Sequence, residues 1–280
     1  SGVMFKVPHF PLDDMILPSD VDGLIDMNTI TAGSELMQVA SVRSSKLERI
    51  RASHAKTHEY ARTQALVTGD VFAPTGTLKT SYGATVNVYN EWGITRGTAA
   101  IRTGAGVNPQ ESVGELFGML QDAAMQGDAL TGYVVLCSPE LFKAIVQNDY
   151  VRELYAHAQL MGRQELLVGR LGNSVGLDNR YRSFEFAGIT FIEYRGGIDG
   201  NRFIPAGQGI ALPVMSGLGR LHFAPANKFN TLNSVAQASY VWERMDDRQT
   251  KIELESETNF AAILERPDLV FTVTMDNTAA

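Results

Sequence analysis

The 280-residue chain is poor in several things, and each scarcity excludes something. It has one cysteine, Cys137, so an intramolecular disulfide is impossible and a reducing folding compartment is expected. Cys137 ends the run Tyr133-Val134-Val135-Leu136-Cys137, a buried-strand pattern in which it reads as a small core hydrophobe. A basic surplus is missing too: the net charge is −7, the wrong sign for a chain that reads nucleic acid. No apolar run approaches the roughly 20 residues that span a bilayer, and no basic-then-apolar leader opens the chain. Internal repeats and low-complexity tracts are absent. The first residues are Ser1-Gly2 with no initiator Met, which points to a processed or engineered start.

What is present belongs to a globular protein, with 44% hydrophobic and 20% charged residues. Residues 1–30 read as an extended entry: Val3, Phe5 and Val7 alternate, and Pro8, Pro11 and Pro18 bar a helix. From Thr31 to Thr68 no proline occurs. Leu36, Val39, Leu47, Ile50, Ala61 and Ala65 recur at helical spacing, and Gly69 offers a stop. Arg43, His54 and His58 interrupt that stripe, so a long, partly exposed helix is expected. A β-hairpin around Pro74-Thr75-Gly76 follows. Gly104 to Pro109 reads as a boundary between lobes. Helices are expected at 109–126, from Ser138-Pro139-Glu140 onward and at 149–168, with a buried strand at 132–137 between the first two. Strands are expected at 184–194, 202–204, 209–213, 236–245, 250–258 and 269–275. Without strict βαβ alternation the fold class reads as α+β.

Three motifs invite chemistry. Gly172-Asn173-Ser174-Val175-Gly176 has the spacing of a serine-hydrolase nucleophile elbow, with Asp199 and His222 in suitable chain order. The residues after Ser174 are polar and bulky, a poor start for the helix that an elbow needs. His54 and His58 stand at i, i+4, but Ala55 occupies the position where a zinc-peptidase motif requires its glutamate, so a polar helix face is the plainer reading. Gly104-Ala105-Gly106 lacks the Lys-Ser/Thr of a phosphate loop, and Pro109 stands where a dinucleotide fingerprint needs its third glycine. Glu253, Glu255 and Glu257 alternate at strand period, just after a turn at Asp246-Asp247-Arg248. They form either a solvated face or an acidic strip that meets arginines of a neighbouring copy.

Collinear segments then carry a resemblance. They are Phe5-Lys6-Val7-Pro8-His9-Phe10-Pro11-Leu12-Asp13-Asp14 with Leu17-Pro18-Ser19-Asp20, the long helix with its hairpin, Glu91-Trp92-Gly93-Ile94, Phe223-Ala224-Pro225-Ala226 and Arg266-Pro267-Asp268-Leu269-Val270. Together they resemble the lambda-type major capsid proteins (major capsid protein E) of tailed bacteriophages. The resemblance implies an α+β, Hong Kong 97-type capsid fold with a long spine helix, a peripheral domain and an inserted axial domain. Its expected segments are an extended entry (1–30), a peripheral helix and hairpin (31–104), an axial domain (105–222) and returning peripheral strands (223–280).

By the same resemblance the chain is a structural subunit with no catalytic residues, cofactor or metal. Copies would assemble in the bacterial host cytoplasm into pentamers and hexamers of an icosahedral virion shell. That shell encloses DNA without reading its sequence and works with scaffolding, portal and decoration proteins. Glu253, Glu255, Glu257, Asp246 and Asp247 become candidate subunit contacts. The family carries an N-terminal arm and an extended loop ahead of the segment matching Val3 to Gly23. Here these are expected to be truncated or removed, which leaves no ground for a covalent cross-link. A hydrolase using Ser174 and an encapsulin-like cellular compartment shell stand as alternatives.

Overall fold

A computed structural model of the chain describes residues 7–22, 34–74, 82–124, 129–160, 181–198, 200–231 and 233–278. In chain order the elements are β1 (His9–Ile16), α1 (Ser19–Asp22), α2 (Ser34–Thr68), β2 (Asp70–Pro74), β3 (Tyr82–Asn87), α3 (Val88–Trp92), β4 (Gly97–Arg102), α4 (Pro109–Ala124), β5 (Gly132–Cys137), α5 (Pro139–Gln147) and α6 (Asp149–Leu160). Then come β6 (Ser183–Phe186), β7 (Ile189–Glu193), β8 (Gly197–Ile198), β9 (Asn201–Arg202), β10 (Gln208–Val214), β11 (Gly219–Phe223), β12 (Tyr240–Met245), β13 (Ile252–Leu264) and β14 (Phe271–Asp276). The fold is α+β, and the chain divides into two compact units.

The first unit comprises Ser1–Arg62, Val71–Val86 and Leu221–Ala262. Its sheet runs β1-β13-β11, with β12 also paired to β13. The expected extended entry is a true strand here: β1 pairs antiparallel with β13 from His9 opposite Asn259 to Ile16 opposite Ile252. As an edge strand β1 tolerates Pro11, which has no amide to give to a ladder. Helix α2 lies on the face carrying Leu12, Ile16 and Leu254, and Ile50 closes a small apolar core there.

The two histidines belong to that buried side, contrary to the polar face expected of them. His54 Nε2 is 2.9 Å from Ser256 Oγ and His58 Nε2 is 2.9 Å from Thr258 Oγ1. Ser256 donates its proton to Leu12 O at 2.6 Å, and Thr258 donates to Ala238 O at 2.7 Å. Each hydroxyl must therefore accept from the imidazole, which assigns the proton of both rings to Nε2. His58 also meets the Phe260 ring edge-on at 4.3 Å, and Phe10 stacks on Phe260 at 4.8 Å.

The second unit comprises Thr63–Asp70, Asn87–Arg220 and Ile263–Ala280. Its mixed sheet has the order β4-β14-β10-β5-β7-β6. Pairs β4/β14 and β5/β7 are parallel, and the remaining three are antiparallel. The core gathers Ile101, Leu116, Val135, Leu141, Ile145, Ile189, Phe191 and Val273. Cys137 is fully buried in it, and burial pushes its thiol far above the ordinary range. Pro109 opens α4, and Ser138 caps α5 ahead of Pro139, as their positions foretell.

The structure differs from expectation in several places. The stretch 184–194 is a hairpin, β6 and β7, because Ala187 and Gly188 turn with φ of 49° and 80°. The second strand of the Pro74 hairpin is β3, while Thr77 to Lys79 lie outside the described residues. Helix α6 is described to Leu160, and 161–168 also lie outside. Gly104-Ala105-Gly106 forms a tight turn between β4 and α4, both in the second unit. The block 223–280 is shared: β12 belongs to the first unit, whereas β14 pairs in parallel with β4 in the second.

Gly69 stops α2 as expected, with φ of 79° and its N–H on Ala65 O at 3.0 Å. The last turn of α2 is also capped by Arg96. Its Nη2 donates to Leu66 O at 2.7 Å, its Nη1 donates to Val67 O, and the guanidinium lies 5.4 Å from the Tyr89 ring centroid.

Candidate functional site

Cross-strand register places the acidic residues of β13 in three rows on the sheet face away from α2. Met15, Glu253 and Arg244 form one row, Asp13, Glu255 and Trp242 the next, and Pro11, Glu257 and Tyr240 the third. Strand alternation alone thus puts the three glutamates together, as the sequence foretold.

Their surroundings are not those of one uniformly solvated face. Glu253 pairs with Lys251 at 2.5 Å. Glu255 pairs with Lys228, whose Nζ lies 4.0 Å from the Trp242 ring centroid. Glu257 is only 8% exposed. Its Oε1 accepts from Asn259 Nδ2 at 2.5 Å and from the Asn227 N–H at 3.1 Å, and lies 3.0 Å from His9 Nδ1. A buried carboxylate needs such partners, because desolvation without them costs several kcal/mol. Glu257 is therefore no part of a solvated face.

Lys228 and Asn227, partners of Glu255 and Glu257, come from the loop between β11 and β12, residues 224–239. Asn259 Nδ2 also donates to Pro225 O at 3.0 Å, and Trp242 stacks on Tyr240 at 5.7 Å. Asp246 accepts from Thr250 Oγ1 at 3.1 Å and caps the β12–β13 turn, where Asp247 is exposed. Sequence reasoning missed Lys228, Asn227 and His9, which are remote from the strip in sequence, and Asn259, which lies two residues beyond Glu257; it also passed over Phe229.

Ser174 and Asp199 lie outside the described residues, and His222 is an exposed residue of β11. A second buried carboxylate, Glu193, is held in the second unit between Arg182 Nε at 2.5 Å and Arg195 Nε at 2.7 Å. Burial pushes its carboxyl up, but the hydrogen bonds from Arg182 and Arg195 outweigh this and hold it below the usual range. An arginine-clamped carboxylate is already ionised and fully engaged, which suits a structural clamp and not a general acid.

Comparison with known proteins agrees with a structural role. A family described as phage major capsid protein E matches residues 1–275. The major capsid protein of Pseudomonas phage KPP10 is 35% identical over 275 residues, covering 95% of this chain and 76% of that protein. The major capsid protein of Salmonella phage Felix O1 is 24% identical, covering 98% of this chain and 78% of its own length. Among solved structures, one described as a prophage capsid protein from E. coli CFT073 superposes with a TM-score of 0.54 at 12% identity, covering 97% of this chain and 78% of that one. A chain from Mycobacterium phage Patience gives 0.51 at 10% identity, covering 98% and 72%. The fold is thus that of the Hong Kong 97-like capsid proteins, and the chain belongs to the phage major capsid protein E family.

Proposed function

We propose that this major capsid protein self-associates, in the host cytoplasm, into pentamers and hexamers of an icosahedral head that encloses DNA without reading its sequence. The observation that carries the reading is the continuous family match over residues 1–275. A net charge of −7 suits a container that must not bind its cargo tightly. In this proposal the unit with α2 and the β13 sheet is the peripheral lobe, and the unit with the six-stranded sheet is the axial lobe. Asp246, Asp247 and Glu253 supply charged contacts at subunit rims, while Glu255 and Glu257 serve the 224–239 loop. Scaffolding, portal and decoration proteins are the further partners of such a shell.

The test is expression of the full-length chain, followed by sedimentation velocity and electron microscopy across a concentration series. Rings or closed particles are expected. A folded chain that stays monomeric at high concentration, with and without co-expressed neighbouring head genes, would overturn the proposal.

A further inference from the structure

In its described residues, the loop 224–239 is fixed at its base and bare at its tip. Asn259 and Glu257 hold Pro225 and Asn227, Lys228 is clamped between Glu255 and Trp242, and Thr258 Oγ1 donates to Ala238 O at 2.7 Å. Within the loop, Thr231 Oγ1 sits 2.8 Å from Ala226 O and 2.9 Å from Lys228 O, and Ser234 Oγ donates to Thr231 O at 2.7 Å. These bonds define a short turn at Phe229–Thr231. Yet Phe229 is 97% exposed and Val235 is 88% exposed. Burying a phenylalanine on its own protein is strongly stabilising. An ordered loop that keeps one in water has the marks of a preorganised anchor.

We infer that Phe229, with the exposed Val235 of the same loop, is an anchor that docks on a second copy of this chain, an inference that rests on the shell-forming reading above. Three observations favour this occupant. First, Phe229 to Trp242 contains no charged residue, and the cation that immediately precedes the turn, Lys228, is paired with Glu255. A nucleic acid or an anionic lipid surface would require exposed cations there, whereas the core of a protein–protein contact is depleted in charge.

Second, the two side chains offer on the order of 300 Å², well below the roughly 800 Å² per partner of a contact that stands alone. Such an anchor suits one of many repeated contacts that close by symmetry. Third, the anchor is held by the sheet of the subunit itself: Glu255 and Glu257 are positioning residues for the loop.

The experiment compares the full-length chain with Phe229→Asp and with a control at an exposed α4 position, Gln121→Ala. Circular dichroism and thermal melting should coincide for all three. The concentration at which particles form should rise at least tenfold for Phe229→Asp and stay unchanged for the control. In assembled particles carrying a photo-crosslinking benzoylphenylalanine at position 229, irradiation should give a species of twice the chain mass. If Phe229→Asp assembles like the parent, or if the crosslink joins a different protein, the anchor is refuted while the shell reading stands. If the folded parent never assembles, the shell reading falls and the anchor with it.

Discussion

The hydroxyl-locked histidines of the first unit make its stability depend on pH, with a sign that the structure fixes. Desolvation pushes His58 down from 6.5 to about 4, and the charges of Arg62 and His54 act in the same direction. Burial also lowers His54. Between pH 6.5 and about 4 the unfolded chain binds a proton at position 58 that the folded chain does not. Stability is therefore complete above pH 6.5 and declines as the pH falls toward 4. The full shift corresponds to about 3.4 kcal/mol at 1.36 kcal/mol per unit. The ring is only partly buried, and solvent screening brings the expected loss to about 1–2 kcal/mol.

The informative variant is His58→Gln, whose amide can still donate to Thr258 but does not titrate. The two tryptophans divide between the units, Trp92 in the second and Trp242 in the first. Trp92→Phe thus leaves Trp242 as a reporter of the first unit. Urea unfolding of this background, followed by Trp242 fluorescence from pH 7.5 to 4.5, should show His58→Gln gaining about 1–2 kcal/mol relative to His58 as the pH falls. Carboxylates protonate in both proteins and drop out of the difference. Parallel curves over that range would refute the assignment of a neutral, locked His58.

Three further perturbations test the frame. At Gly69 a Cβ would lie 2.3 Å from the Tyr89 ring at φ +79°, so Gly69→Ala should cost about 2–4 kcal/mol, whereas Gly93→Ala, at φ +63° in open space, should cost only about 1–2; equal losses in thermal melting would show that Tyr89 yields freely. Arg96→Ala removes the cap from α2 and should cost about 1–3 kcal/mol, with faster amide exchange in the last turn as the local sign. Glu193→Gln unpairs Arg182 and Arg195 and should cost about 2–4 kcal/mol at pH 7. Because the folded Glu193 carboxyl is held low, that difference should persist above about pH 4.5 and shrink as the pH falls below it, by denaturant unfolding.

Where local chemistry decides an element, the sequence was legible. Gly69, Pro109 and the Ser138-Pro139 pair mark their helix ends because capping depends on a few adjacent residues. Local signals failed at Ala187-Gly188, since alanine rarely takes the left-handed φ that a two-residue hairpin turn demands. They failed again at the end of β13. Asn259, Ala261 and Ala262 have little strand propensity, and burial of this stretch, set by distant partners, carries the strand on to Leu264. The histidines of α2 read as breaks in an apolar stripe because their acceptors, Ser256 and Thr258, lie some 200 residues away.

The acidic strip shows how the same limit bears on function. Period two correctly placed Glu253, Glu255 and Glu257 on one face, but a period cannot say what lies over that face. The covering loop is contributed from about 30 residues upstream of Glu257, and His9 reaches it from 248 residues away. Only the folded chain reveals that all three acids have partners within the subunit, and that two of them hold the loop. One trace of the consequence was present in the sequence. Phe229 to Trp242 is a 14-residue run without a charge, where a chain with 20% charged residues would place about three. A polar, uncharged loop holding a phenylalanine is poor material for a solvated surface and good material for a desolvated contact. If the anchor inference holds, the glutamates bear on assembly through the loop they hold in place, and Phe229 is the residue on which that loop's contribution should depend.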